Sequence, residues 1–326
     1  MIYLVPLLVS VIGALRSSAI RVDTATLPPF VAEGSIQGSD NNTVVLLPVT
    51  IHGQAGTVIL DVGAIAGLGM SSAAATFGIP LDGSPLDSLT LGTVVERDIP
   101  TIPLGLSFPI PSGMPPLVGI LGTTVLSHYE LLFNGPMHQV QLYQFPPSAP
   151  GHNDSHGPWL PAGLTLADCM PMPVFQNTAD GWVGLPLRVN GYPITSVFDS
   201  GSPTSDMNLS AARLLGLTQH SSNVHRLPDS LVTSYPVGGG KELYTVTDLV
   251  LQLGTHQVTP VPVRIVTQIP VDEPKETPLL FLGLDAFRDR ILLVSYQTRQ
   301  VCLSPARKGV LGVARSVSSR ANDVHK

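Results

Sequence analysis

Charged residues are scarce in this sequence. Asp, Glu, Lys and Arg together make up 12% of its 326 residues, and the formal net charge is −6. No run of Lys or Arg occurs, and binding a phosphate backbone requires clustered positive charge, so we expect no nucleic-acid partner. Hydrophobic residues make up 44% of the chain, which is too apolar for disorder. The composition therefore predicts a folded protein.

Cysteine is also scarce, and the motifs of several other chemistries are missing. Cys169 and Cys302 could pair in an oxidising compartment, but their spacing is not a zinc pattern. Neither a zinc HExxH helix nor a Gly-x-Ser-x-Gly nucleophile motif occurs. The Gly-rich run 238–241 resembles a phosphate loop but is followed by Glu242 where Ser or Thr is required. We expect no metal and no organic cofactor.

Long hydrophobic runs are limited to the start of the sequence. The apolar stretch Ile2–Leu15 is shorter than the roughly 20 residues that span a membrane. The small residues Ser17, Ser18 and Ala19 follow it and suit signal-peptidase cleavage. We interpret residues 1–19 as a signal peptide, with an N-terminal strand or anchor as the alternative. A secreted or extracytoplasmic protein with no stable membrane span after signal removal follows.

Glycine and proline, by contrast, are abundant, with 31 of each. Such punctuation breaks long helices and favours many short strands joined by turns. The sequence therefore predicts an all-β fold.

The chain also repeats itself. Residues 47–79 align without a gap to residues 185–217, and ten positions are identical. Residues 119–143 align in the same way to residues 280–304. Two blocks that recur in the same order indicate two copies of one structural unit.

The repeats predict the domain organisation. It comprises the predicted signal peptide 1–19, an N-terminal lobe 40–145, a Pro/Gly-rich linker 146–179, a C-terminal lobe 180–306 and a polar tail 307–326.

Each repeat places an Asp-x-Gly turn directly after an apolar strand. The first reads ILDVG, with Asp61 and Gly63, and the second reads VFDSG, with Asp199 and Gly201. Later in each repeat comes a hydrophobic-hydrophobic-Gly element, ILG at 120–122 and FLG at 281–283.

These motifs resemble those of the aspartic proteases, and the resemblance covers both repeats. The run Asp199-Ser200-Gly201-Ser202 matches that family's Asp-Thr/Ser-Gly-Ser/Thr signature. The resemblance implies a bilobal pepsin-like fold, with two pseudo-symmetric β-barrel lobes and short helices. Each lobe is similar to a retropepsin lobe, and the two are fused in one chain. It implies a monomer that cleaves an extended polypeptide.

The resemblance also implies roles for the motif residues. Asp61 and Asp199 would form the catalytic pair, in which one carboxyl keeps a proton because two adjacent charges cannot both ionise cheaply. Gly63, Ser200, Gly201 and Ser202 would support that pair. The ionised carboxyl would activate a water, and the protonated one would polarise the scissile carbonyl.

Val62 departs from the family pattern. Where the family has a hydroxyl residue that bonds to the opposite turn, Val62 has neither donor nor acceptor. Two other functions therefore stay open. One is a weak or inactive pseudoprotease that binds peptides or proteins in its cleft, and the other is a structural β-rich domain with no cleft.

The second repeat is longer than the first, and its extra residues lie between Leu217 and Asp248. They include a Gly-Gly-Gly tip between strand-like runs, which is typical of a mobile hairpin. We interpret this hairpin as a substrate flap with Tyr235, Gly239 and Tyr244 as candidate residues.

Overall fold

The computed structural model describes most of the chain between residues 28 and 306. The described ranges are 28–38, 43–65, 67–71, 73–106, 112–145, 159–173, 182–227, 244–258, 261–266 and 277–306. The predicted signal peptide 1–19 and polar tail 307–326 lie outside them. Within these ranges strands dominate and form two sheets, so the all-β prediction is confirmed.

The larger sheet draws strands from both repeats. In the first half of the chain they are β1 (Phe30–Gln37), β2 (Val44–Ile51), β3 (Gln54–Leu60), β4 (Leu68–Ser71), β5 (Leu86–Leu91), β6 (Val94–Ile99), β7 (Thr101–Leu106), β8 (Leu117–Leu121), β9 (Tyr129–Asn134) and β10 (Gln139–Gln144). Later strands of the same sheet are β11 (Cys169–Pro171), β21 (Ile291–Ser295) and β22 (Gln300–Leu303). Its main path runs β11-β22-β21-β9-β10-β1-β2-β3-β8-β4-β7, and β5 and β6 extend from β2.

The smaller sheet belongs to the second repeat. Its strands are β12 (Gly184–Val189), β13 (Tyr192–Phe198), β14 (Ser205–Asn208), β15 (Val224–Arg226), β16 (Tyr244–Val246), β17 (Leu251–Leu253), β18 (His256–Gln257), β19 (Val263–Val266) and β20 (Leu279–Leu282). They are ordered β15-β16-β19-β14-β20-β13-β12-β17-β18.

Helices in the described residues are short. The α-helices are α1 (Thr123–Leu126) and α2 (Leu209–Leu214), and the 3-10 helices are Ala74–Phe77, Gly135–Met137, Leu166–Asp168 and Leu284–Phe287. Asn208 starts α2, because its side chain accepts a 2.8 Å hydrogen bond from the Ala211 N–H. No helix in the described part of the chain is both long and apolar enough to cross a bilayer.

Equivalent residues of the two repeats adopt the same unusual backbone conformations. The hairpins β2–β3 and β12–β13 turn at His52-Gly53 and Asn190-Gly191, where φ is 48° and 79° in the first turn and 48° and 83° in the second. Positive φ at both central residues gives a turn whose twist matches the flanking strands. His138 and Arg299, aligned in the second block, have φ values of 54° and 53°. The sequence repeat is therefore a structural repeat.

The two repeats meet through β9 and β21. In this antiparallel pair Leu132 lies opposite Leu293, and these two residues occupy equivalent positions in the sequence repeat. An equivalent-to-equivalent contact is what a two-fold axis between two copies requires. A local pseudo-two-fold axis therefore passes through this strand pair.

Strand β11 lies inside the predicted linker 146–179 and is the counterpart of β1. It pairs with β22 as β1 pairs with β10, and Cys169 lies opposite Cys302 in this pairing. The two cysteines form a disulfide across the strands. The disulfide is compatible with an extracellular location, and it fixes part of the linker to the second repeat.

Glu130 is buried where β9 pairs with β21, opposite Ser295. The Ser295 hydroxyl donates a 2.7 Å hydrogen bond to its carboxyl group. Burial raises the pKa of Glu130 to about 8, although the bonds from Ser295 and from the Gln297 backbone oppose the rise. The fold therefore holds the neutral acid.

We predict that Glu130 weakens the fold as pH rises. Below the ordinary value of 4.5 the carboxyl is neutral in both states, but between 4.5 and about 8 it ionises readily only when the chain is unfolded. The free energy of unfolding should fall across this window. In Glu130→Gln the fall should shrink by on the order of 3 kcal/mol, measured by urea unfolding at a series of pH values.

Glu33→Gln is the matched control, because Glu33 is an exposed glutamate on β1, two strands away from β9 in the same sheet. Its pH dependence should follow that of the wild type. A Glu130→Gln curve parallel to the wild-type curve would contradict the prediction.

Candidate functional site

Asp61 and Asp199 each follow the last residue of a buried strand, β3 and β13 respectively. Each strand runs parallel to the strand that carries the hydrophobic-hydrophobic-Gly element, β8 or β20. The Asp61 N–H donates to the Leu121 carbonyl at 3.0 Å, and the Asp199 N–H donates to the Leu282 carbonyl at 2.9 Å. The two sequence motifs are thus hydrogen-bonded neighbours in both repeats.

A second bond closes each turn from the other side. The Thr123 N–H donates to the Ala64 carbonyl at 2.8 Å, and the Leu284 N–H donates to the Ser202 carbonyl at 3.0 Å. Both donors directly follow the glycine of the hydrophobic-hydrophobic-Gly element. The backbone of the two turns is therefore fixed alike, whatever side chains follow each Asp.

The two turns face one another and bring their carboxyl groups together. Gly63 N–H donates to Asp61 Oδ1 at 2.7 Å, and Gly201 N–H donates to Asp199 Oδ1 at 3.0 Å. Gly201 N–H also reaches across to Asp61 Oδ1 at 3.2 Å. The Gly201 N–H therefore contacts one oxygen of each carboxyl group. A carboxyl pair that shares hydrogen-bond donors can hold one proton between two acids.

Glycine is required at the centre of each turn because the opposite carboxyl occupies the space of a side chain. A Cβ on Gly63 would lie 2.7 Å from Asp199 Oδ1, and one on Gly201 would lie 2.3 Å from Asp61 Oδ2. Both distances are far below van der Waals contact. The close approach of the carboxyls thus depends on the absence of both side chains.

Burial raises the pKa of both acids, since desolvation disfavours the charged form. For Asp61 the bonds from Gly63, Asp199 and Gly201 oppose the rise. For Asp199 the charge of Asp61 adds to burial, and its pKa lies well above the ordinary value. Both shifts favour a pair that keeps one proton, and the rise is the larger for Asp199.

Ser200 locks the two turns together. Its hydroxyl accepts a 3.0 Å bond from the Val62 N–H and donates a 2.9 Å bond to the Leu60 carbonyl. Both partners belong to the opposite repeat, and both bonds are buried. One hydroxyl therefore satisfies two main-chain groups that flank Asp61.

Val62 occupies the position equivalent to Ser200 and is fully buried. Its methyl groups cannot return the two bonds that Ser200 supplies. The clamp between the turns is therefore one-sided, because only the second repeat contributes a hydroxyl to it.

Phe198 anchors the strand that leads into the Asp199 turn. It precedes Asp199 and lies between Phe133 of β9 and Phe287, with both ring pairs edge to face at centroid distances of 5.0 Å. Such packing adds to the apolar burial of the rings. The Asp199 turn is thus anchored to the strand pair that joins the repeats.

Two other predicted site residues, Ser202 and Tyr244, have side chains that bond to other groups. The Ser202 hydroxyl donates to the Thr204 carbonyl at 2.7 Å, so in this structure it supports its own turn and bonds to no carboxylate. Tyr244 starts β16 and its hydroxyl donates to Gln219 Oε1 at 3.4 Å. The flap candidates Tyr235 and Gly239 lie outside the described residues.

Sequence reasoning missed a buried acid that is hydrogen-bonded, through Ser205, to the second hydrophobic-hydrophobic-Gly element. Asp285 follows the second hydrophobic-hydrophobic-Gly element and accepts bonds from the Ser205 hydroxyl at 2.7 Å and the Ser205 N–H at 3.1 Å. The Ser205 hydroxyl in turn accepts from the Gly283 N–H. The aligned residue of the first repeat is Thr124, so the repeat gave no signal for this bond network.

In the described residues, no three His, Cys, Asp or Glu side chains are grouped so that they could hold a metal ion. Compared with known proteins, the chain matches no family model and no curated protein.

We predict that Ser200→Ala destabilises the fold more than an ordinary buried serine substitution. It strands the buried Val62 N–H and Leu60 carbonyl together, and each unsatisfied group costs about 1–3 kcal/mol. The expected loss in the free energy of unfolding is about 2–4 kcal/mol, measured by urea denaturation.

Ser196→Ala is the matched control. Ser196 is also fully buried, but its hydroxyl bonds only to the Leu185 carbonyl of the paired strand, and its removal should cost about 1 kcal/mol. Equal losses in the two variants would show that Ser200 makes no special contribution.

Proposed function

We propose that the chain is an aspartic endopeptidase. The observation that carries the proposal is a half-buried pair of carboxyls that share the Gly201 N–H and are delivered by equivalent turns of two structural repeats. Two acids with one shared proton form a combined general acid and base. The resemblance of Asp199-Ser200-Gly201 to the family signature supports the same function.

The proposed architecture is bilobal and pepsin-like, with each repeat forming one lobe. Its support is the pairing of Leu132 with Leu293 and the matching bonds at both Asp turns. The carboxyl pair would then lie at the base of a cleft between lobes, and an extended polypeptide would bind there by strand-like pairing. We infer a monomer outside the cytoplasm, and the disulfide supports that location.

The geometry suggests how the acids would act. Asp61, as the ionised member, takes a proton from a water whose oxygen bonds to the scissile carbonyl carbon. Asp199 gives its proton to the carbonyl oxygen, which yields a neutral gem-diol. The C–N bond then breaks as nitrogen takes the proton held by Asp61, and one diol hydroxyl returns a proton to Asp199. The pair ends as it began.

A binding protein without turnover is the second candidate, and Val62 favours it. A clamp with bonds from one side holds the carboxyls less firmly, and a displacement of about 1 Å can cost roughly 100-fold in rate. Such a protein would bind peptides or proteins in the same cleft.

We predict acid-optimal cleavage of an unfolded protein substrate that a statine-type transition-state mimic blocks. Activity should fall towards neutral pH as Asp199 loses its proton. Asp199→Asn should reduce kcat/KM by roughly 10²–10⁴-fold, because the variant lacks the general acid. The assay is peptide release by the purified protein from pH 2 to 7, followed by mass spectrometry.

Asp87→Asn is the control, because Asp87 is an exposed aspartate on β5 and lies in neither turn. It should retain wild-type activity. If the wild type releases no peptide at any pH but still binds one, the endopeptidase proposal fails and the binding protein stands.

We predict that Val62→Thr strengthens the clamp. By the two-fold relation, its hydroxyl would meet the Ser200 N–H and the Phe198 carbonyl, as Ser200 meets Val62 and Leu60. The free energy of unfolding should rise by about 0.5–1.5 kcal/mol, and cleavage should accelerate. Val62→Ala, which removes both methyl groups and adds no hydroxyl, should only destabilise. A Thr variant less stable than the wild type would show that the hydroxyl finds no partner.

A further inference from the structure

An ion pair lies beside the proposed catalytic carboxyls in the second repeat. Arg264 on β19 donates from Nε to Asp206 Oδ1 at 2.6 Å and from Nη2 to Asp206 Oδ2 at 2.9 Å. The side chains are only 14% and 11% exposed, respectively. A two-bonded guanidinium–carboxylate pair has fixed geometry, so its charges have fixed positions relative to the dyad.

Strand register gives the distance of this pair from Asp199. Asp206 on β14 and Val197 on β13 are paired with Phe281 of β20, from opposite sides. Two strand spacings separate them, which is about 10 Å. Asp199 lies two residues beyond Val197. Arg264 is one strand further away, because β19 flanks β14 on the side remote from β20.

The order of the strands decides the net effect of the ion pair. Asp206 is on the strand nearer to Asp199 and Arg264 is on the strand beyond it, so we infer a net field at Asp199 that opposes ionisation. In agreement, burial and then the charges of Asp61 and Asp206 raise the pKa of Asp199.

The first repeat has no such charge at the corresponding place. Ile120 is the first-repeat counterpart of Phe281, and Gly69 lies opposite it, in the strand register that Asp206 has in the second repeat. Gly69 is in turn paired with Ile102, whereas Asp206 is paired with Arg264. The electrostatic surroundings of the two carboxyls are therefore unequal.

We propose that Asp206, held by Arg264, is a positioning residue that directs the shared proton of the dyad to Asp199 and leaves the negative charge on Asp61. The inference rests on the proposed function for its catalytic meaning, since it makes Asp61 the base that activates water. Proton placement itself is a property of the folded protein and can be measured without a substrate.

Other titratable and charged groups of the surrounding elements are held constant in the test. Asp285 lies below the Asp199 turn, with Arg288 acting on its charge. Tyr296 follows β21 and feels the charge of Asp61, and Glu130 is buried in the strand pair beneath.

The test is a ¹³C NMR titration of the protein labelled at aspartate carboxyl carbons, with Asp61→Asn and Asp199→Asn for assignment. In the wild type, Asp61 should ionise first and Asp199 at higher pH. In Asp206→Asn the Asp199 transition should move down by roughly one pH unit, and in Arg264→Gln it should move up by a smaller amount because Arg264 is farther away.

Arg264→Lys retains the charge and should leave the transition near its wild-type position, and Glu33→Gln controls for loss of a distant carboxylate. Opposite shifts in Asp206→Asn and Arg264→Gln support the proposal. Unchanged transitions in folded Asp206→Asn, or a first ionisation at Asp199 in the wild type, would overturn it. Asp206→Asn has nearly the same shape as the native residue, so it tests the charge even if Arg264→Gln fails to fold.

Cleavage assays on the same variants separate this inference from the proposed function. The high-pH limb of the kcat/KM profile should follow the NMR transition. If the NMR shifts occur but no peptide is ever cleaved, the endopeptidase proposal is refuted and the proposed proton placement stands. A protein that cleaves without the shifts would refute the proton placement alone.

Discussion

The approach of two half-buried carboxyl groups across a local two-fold axis is the constraint on which the rest of this structure depends. Two acids in contact and out of water are unfavourable unless one keeps its proton and N–H donors solvate the other. The Asp turns supply those donors from Gly63 and Gly201. Because no side chain fits at either glycine, the same residues that solvate the acids also permit their contact.

The two-fold arrangement is carried by the backbone and broken by the side chains. Main-chain bonds at the Asp turns match in both repeats. The side chains around them do not, since Ser200 faces Val62, Asp206 has the counterpart Gly69, and Asp285 has the counterpart Thr124. A symmetric frame with unequal surroundings can assign different tasks to two identical acids, as general acid and base chemistry requires.

Local patterns predicted the features that depend on local sequence. Turn glycines, apolar strands and repeated blocks predicted the β-rich class and the equivalence of Asp61 and Asp199. Features that depend on long-range register were not predictable. Asp206 and Arg264 are 58 positions apart, and the partner of Ser202 is set by the detailed path of its own turn. Strand β11 was missed because three residues, one of them proline, carry no periodic signal, although the structure makes it the counterpart of β1.

The disulfide has a consequence for how the larger sheet meets its surroundings. Strand β11 forms one end of that sheet's main path, and an open strand edge is a template on which another chain can add. Here the end strand is three residues long, contains Pro171, which has no N–H to offer, and is covalently tied to β22 through Cys169. The crosslink thus opposes sheet extension between molecules. While the disulfide is intact, β11 stays paired with the longer strand β22, and the edge of β22 is not open to a strand from another chain.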